Sequence, residues 1–232
     1  MSGQDIMIKT TDGEFSGYLA LPEGGSGPGI VVIQEIFGVN DVMRSIADDL
    51  AAKGFVALCP DLFWRIEPGI QLTDKTDEEW ARAFELFNTF DVDKGMVDVQ
   101  ATITHLRAMD GVTGKIGAIG YCLGGHLAYL TATRTNADAA VGYYGVNIPA
   151  KLDEAGNISK PLMLHIAEKD EFVDADAQKA MHEGLDGLPL VTLHDYPGMD
   201  HAFARVGGAH YDEANATLAN DRTEAFLKEH LG

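Results

Sequence analysis

Short apolar runs alternate with amphipathic ones along this chain, and the alternation predicts a βαβ pattern. Two runs at the start, IMIKT and EFSGYLALP, flank TDG and predict a hairpin. GIVVIQEIFG (29–38) is apolar enough for a buried strand that ends in a loop. Residues 41–53 predict a helix closed by Gly54. FVALCP (55–60) predicts a strand stopped by Pro60. A polar loop containing Pro and Gly follows at 61–75. Helices are expected over 76–88 and 91–109, the second because Val92, Met96, Val99, Ile103 and Leu106 recur at helical spacing. KIGAIGY (115–121) predicts a strand, with a helix from about Leu123. AAVGYYG (139–145), PLMLHIAE (161–168) and PLVTLHDY (189–196) predict strands. Helices are expected over 174–186 and roughly 209–230. No long linker, repeat or low-complexity tract interrupts the series. The expectation is one α/β domain over 1–232, with about eight strands in a mostly parallel sheet and helices on both faces. In such sheets ligands sit at the carboxyl ends of the strands.

Composition narrows the partners. Hydrophobic residues make up 46% of 232, enough for a real core, and 26 glycines fit a loop-rich globule rather than a disordered chain. The net charge of −19 argues against nucleic acid, whose phosphates need clustered Lys and Arg. Against that background an arginine beside a pocket stands out, because it can bind an anion locally. Cys59 and Cys122 do not make a disulfide framework. The polar start, MSGQDIMIKTTDGE, has no basic segment followed by an apolar one, as a signal peptide would. No apolar run approaches the ~20 residues of a membrane span. A cytoplasmic monomer with reduced thiols, and neither membrane nor nucleic-acid partners, is expected.

Candidate chemistry gathers at predicted strand ends. Gly120-Tyr121-Cys122-Leu123-Gly124-Gly125 is G-x-C-x-G between a strand and a helix, a nucleophile-elbow pattern with cysteine at its centre. Glycines suit such a turn because strand and helix pass close together. A helix N-terminus favours thiolate. The alternative is a small buried structural thiol. His201, in YPGMDHAFAR, lies in a loop after a strand and late in the chain, where an imidazole can serve as base. The other histidines fall in predicted helices or strands, or near the elbow. Asp170, in EKDEFV, is placed to orient such a histidine, in competition with Glu168, Glu171 and Asp174. Glu35 interrupts an otherwise apolar strand, so it either turns to solvent or sits as a perturbed group at a site. Arg205 follows His201 by four residues; it can hold a substrate carboxylate, pair with Glu35, or form a rim salt bridge.

Five blocks together are more specific than any one motif. VVIQEIFGVND, GYCLGGHLAYL, AVGYYGV, EKDEFV and DHAFAR, in this order, resemble the dienelactone hydrolase family of α/β-hydrolases through most of the chain. The resemblance implies that fold, with Cys122, Asp170 and His201 as a triad and Glu35 as a further active-site carboxylate. It implies oxyanion-binding amides at Leu123 and Ile36, Arg205 on a substrate carboxylate, and Tyr143 in the pocket. On the helix 76–88 the register puts Trp80 at the family's second carboxylate-binding arginine and Phe84 at a pocket tyrosine. A slightly different alignment lets Arg82 serve instead. The implied activity is hydrolysis of a small ester or lactone, anionic in character, through a thioester. Dienelactone going to maleylacetate, a step in aromatic-compound degradation, is the most direct case. At rest Glu35 would pair with Arg205, and substrate would release it to take the thiol proton. No metal or organic cofactor is implied. A broader carboxylesterase or thioesterase is the alternative, followed by a non-catalytic binding protein of the same fold.

Overall fold

The computed structural model describes residues 3–232, and its strands form one eight-stranded, mostly parallel sheet in the order β1-β2-β4-β3-β5-β6-β7-β8. Backbone contacts divide the chain into two units, 1–118 and 119–232.

The first unit opens with the expected hairpin. β1 (Gln4–Thr10) and β2 (Gly13–Ala20) are antiparallel, with Ile8 opposite Phe15, both buried. β2 runs antiparallel to β4 (Val56–Pro60), which is parallel to β3 (Gly27–Ile33). Ile30 to Ile33 have no exposure, as expected of a strand covered on both faces. β3 stops at Ile33, short of the apolar run that predicted it. The neighbouring strand ends at Pro60, which has no N–H to offer, and the Gln34 side chain instead accepts the Leu62 N–H at 3.0 Å. α1 (Asp41–Ala52), α2 (Asp77–Thr89) and α3 (Val92–Ala108) begin on Asn40, Thr76 and Asp91, whose side chains each accept a first-turn N–H. The polar loop 61–75 is anchored rather than loose. Asp98 of α3, with no exposure, accepts from Trp64 Nε1 at 2.8 Å and from Arg65 Nε and Nη2 at 2.9 and 2.8 Å.

β5 (Val112–Tyr121) leads into the second unit, where α4 (Leu123–Arg134), β6 (Ala139–Tyr143), β7 (Leu162–Ala167), α5 (Ala175–Leu185), β8 (Val191–Tyr196) and α6 (Glu213–Leu231) follow. β6, β7 and β8 pair in parallel, and β8 is an edge strand. α4 is buried from Leu123 to Thr133, so its sequence carries no amphipathic stripe. A 3-10 helix at Ile148–Asn157 was not predicted, since Pro149 and Gly156 mark the run as loop. Among the described residues, no helix is long and apolar enough to cross a membrane.

Candidate active site

The six α-helices among the described residues do not start alike. Asn40, Thr76, Asp91, Asp174 and Asp212 cap five of them with a side-chain acceptor. α4 starts on Cys122, which makes no capping hydrogen bond and has φ 56° and ψ −113°. A non-glycine residue at such angles costs on the order of 1–3 kcal/mol, and its surroundings must impose it. They do so here through close backbone approach. A Cβ at Gly120 would fall on the Gly124 carbonyl, and one at Gly125 would lie 2.5 Å from the Tyr143 oxygen. The Cys122 N–H donates to that same oxygen at 3.0 Å. Strand end, elbow and helix start are thus locked to β6, with the thiol at the first turn of α4. The opening N–H groups of a helix, here beginning with Leu123, have no partner within the helix.

Across from the thiol stands His201. Strand β8 ends at Tyr196, and Gly198 at φ 76° turns the chain back. His201 follows, 7% exposed, with Nδ1 at 2.8 Å from Oδ2 of Asp170, itself 5% exposed. Asp170 Oδ1 accepts the Phe172 N–H at 2.9 Å, which fixes the carboxylate. The carboxylate can only accept, so His201 donates from Nδ1. The ring also hydrogen-bonds the Cys122 side chain. Burial works to lower the His201 pKa. Attraction to Cys122, together with the bonds to Asp170 and Cys122, overcomes it and raises the value to about 10. The ring is thus held between sulfur and carboxylate.

The competing acids are placed elsewhere. Glu168 is exposed and accepts the Gly198 N–H at 2.6 Å, bracing the turn before His201. Asp174 caps α5, and Glu171 is exposed. Three of the other histidines lie as follows. His165 sits between Tyr196 and Thr223, and His182 between Asp186 and Asp195. His126 is 4% exposed, and neither ring nitrogen has a hydrogen-bond partner among the described residues.

Other candidates lie as follows. Glu35 and Ile36, in the first unit after β3, are 2% and 5% exposed, so the glutamate does not turn to solvent. Arg205 is partly buried in the turn after His201, its N–H donating to the Ala202 carbonyl at 2.9 Å. Arg82 is committed to Glu67 and Glu85, at 2.5 and 2.6 Å. Trp80 stacks on Phe84 with ring centres 5.6 Å apart, and Phe84 is 40% exposed. Tyr143 is fully buried with its hydroxyl on Asn220 and Thr223, so the tyrosine that meets His201 is its neighbour. Tyr144, at φ 37°, sets its ring edge-on to His201 at 5.1 Å. Phe172 does the same at 4.9 Å. The sequence reading passed over both, although Phe172 sits two residues after Asp170 and Tyr144 beside a close-packed glycine.

The Dienelactone hydrolase family model matches residues 15–231. A protein of Azospirillum brasilense, provisionally named a carboxymethylenebutenolidase, is 52% identical over 231 residues, covering 98% of this chain and 99% of the relative. The carboxymethylenebutenolidase of Pseudomonas putida is 37% identical over 228 residues, covering 98% and 97%. Among solved structures, a Klebsiella pneumoniae protein provisionally described as a dienelactone hydrolase superposes with a TM-score of 0.87 at 25% identity, covering 97% and 98% of the two chains.

Proposed function

Because the chain belongs to the dienelactone hydrolase family of ester and lactone hydrolases, we propose that it opens an anionic lactone through a covalent thioester on Cys122, with 1–232 acting as one catalytic domain. The reading rests on one observation: a buried imidazole, His201, that bonds Asp170 on one side and Cys122 on the other. The Cys122 sulfur adds to the lactone carbonyl. The ring C–O bond then breaks and leaves as an enolate, a leaving group good enough for a soft nucleophile. The enolate takes the proton the thiol gave up; His201, freed of the sulfur's charge once Cys122 is acylated and steered by Asp170, takes a proton from water, and the hydroxide attacks the thioester. The acid is released and the thiolate returns. Dienelactone treated this way gives maleylacetate.

The family resemblance adds four groups. Glu35 would receive the thiol proton, and Arg205 would bind the substrate carboxylate. The amides of Leu123 and Ile36 would stabilise the oxyanion, each donor at about 2.7–4 kcal/mol. The proposal also requires a reducing compartment, and both cysteines are thiols. One observation favours a second reading, a broader carboxylesterase. Arg82 is engaged by two glutamates, which leaves Arg205 as the candidate cation for a substrate carboxylate. Turnover of cis- and trans-dienelactone against neutral aryl esters separates the two. Replacing Cys122→Ala should abolish turnover and the thioester adduct seen by mass spectrometry. Full activity in that variant would refute the scheme.

A further inference from the structure

The second unit carries a groove that the proposed hydrolysis does not use. It has a volume of about 410 Å³, within the range of small-ligand sites, and lies where α6 crosses β7 and the edge strand β8. Met163, Leu190 and Phe226 supply apolar wall, while Arg222, His194 and His230 supply polar groups. Glu229 is an exposed rim residue.

Arg222 is the unusual member. The chain has 36 acidic and 17 basic residues, so arginines here find carboxylates easily. Arg44, Arg65, Arg82 and Arg134 each do. Arg222 has none among the described residues. Its one hydrogen bond runs from Nη1 to the Tyr196 hydroxyl at 3.3 Å, with the guanidinium 5.5 Å from the centre of that ring. A guanidinium offers five N–H donors in a planar fork matched to a carboxylate. Most of this fork is unspent.

The fork is also held in place. A guanidinium can only donate, so Tyr196 accepts from it and passes its own proton to His165 Nδ1 at 2.7 Å. His165 therefore carries its hydrogen on Nε2 and donates to the Thr223 hydroxyl at 2.9 Å. Thr223 then donates to the Tyr143 oxygen at 2.6 Å, and Tyr143 to Asn220 Oδ1 at 3.0 Å. Every link points the same way, away from Arg222. His165 is 1% exposed, and burial pushes its pKa well down, so the neutral ring this order requires is the one present. A chain of buried groups with one polarity thus orients a cation at the groove wall. His194 stacks on His165 at 5.7 Å and lines the same groove, with one ring N–H to offer.

We propose that this groove is a second binding site, for a small amphipathic carboxylate whose anionic group lies on Arg222 and His194 and whose apolar body lies on Met163, Leu190 and Phe226. The test uses phenylacetate as probe and the His194 imidazole signals in NMR as readout. Those signals should shift saturably on titration of the full chain. Arg222→Gln should weaken binding about 10–100-fold, the effect of losing a hydrogen bond to a charged group. Leu190→Glu, at an exposed rim position away from the polar chain, should also weaken it. Arg205→Ala should leave the His194 response unchanged, which separates this site from the proposed hydrolytic one. Inorganic phosphate should bind more weakly, since it has no apolar body. An unshifted His194, an Arg222→Gln variant that binds as wild type does, or phosphate binding as tightly as phenylacetate would each overturn the proposal.

Discussion

Acid should destabilise this protein through His126, and the size of the effect follows from its surroundings. The ring is 4% exposed and without a hydrogen-bond partner among the described residues. Burial, aided by the charges of Lys151 and Arg134 and opposed by Glu154, lowers its pKa from 6.5 to about 4. The unfolded chain therefore takes up a proton near pH 6.5, while the folded chain resists until about pH 4. Stability is unaffected above the unfolded value and falls as pH drops between the two. By linkage the loss is about 2 kcal/mol from pH 7 to pH 5 and approaches about 3 kcal/mol lower down. His126→Leu should remove this slope, because leucine is similar in size and cannot take a proton. At pH 7 the variant should be at least as stable, since no satisfied hydrogen bond is lost. Urea unfolding at pH 7, 6 and 5 on both proteins measures the difference. His165 and His194, whose pKa values are also lowered mainly by burial, contribute to both proteins and cancel. Parallel stability curves for wild type and variant would show that His126 is not the buried neutral group described, and the reasoning would fail.

Four further outcomes are expected. In Cys122→Ala, His201 should titrate below about 10, because the raising effect of the sulfur is gone; an unchanged imidazole midpoint in NMR would break the link between the two residues. A His201 pKa raised in the folded state stabilises it below pH 6.5, and that contribution is lost as pH rises through about 10; wild type should show this alkaline loss more strongly than Cys122→Ala. Iodoacetamide should alkylate Cys122 well before Cys59, which has no exposure and whose pKa is pushed far up by burial; peptide mass spectrometry reads the order, and equal rates would count against an activated thiol. Asp98→Ala strips the buried partner from Arg65 and the Trp64 indole, and should cost about 3 kcal/mol in urea unfolding; a loss under about 1 kcal/mol would mean the 61–75 loop is held by other contacts.

The periodicity of the chain was legible where burial is one-sided or complete. β1 alternates, β3 is continuously apolar, and α3 repeats at helical spacing, so each was visible in the sequence. Errors came where local hydrogen bonding ends an element without changing its polarity pattern. β3 stops at Ile33, where its neighbour runs out at Pro60 and the Gln34 side chain accepts the Leu62 N–H, although apolar residues resume at Ile36 and Phe37. IPAKLDEAGN carries Ile148, Leu152 and Ala155 at helical spacing, but Pro149 and Gly156 bracket a run too short to stand out as a helix. The hairpin, by contrast, was set by its turn glycine, Gly13.

Candidate site residues were legible for a different reason. Each breaks a local rule that the rest of the chain keeps. Five helices take Asn, Thr or Asp as N-cap, and the sixth takes a cysteine that caps nothing. Asp170 is the buried acid in a cluster whose other members are exposed or cap a helix. Glu35 is a buried carboxylate after a strand with no other charge. Tyr144 escaped notice because its anomaly is a backbone angle, φ 37°, which a tyrosine does not advertise. Arg222 escaped because its anomaly is the lack of a carboxylate partner, and sequence does not say which acids a side chain can reach. Residue types thus reveal a site when they violate a propensity, while orientation and pairing become visible only with coordinates. The same distinction separates the two sites. The first was found as an exception in the sequence. The groove was found as an exception in the ion pairing, which is why it needs a binding measurement rather than a motif to establish it.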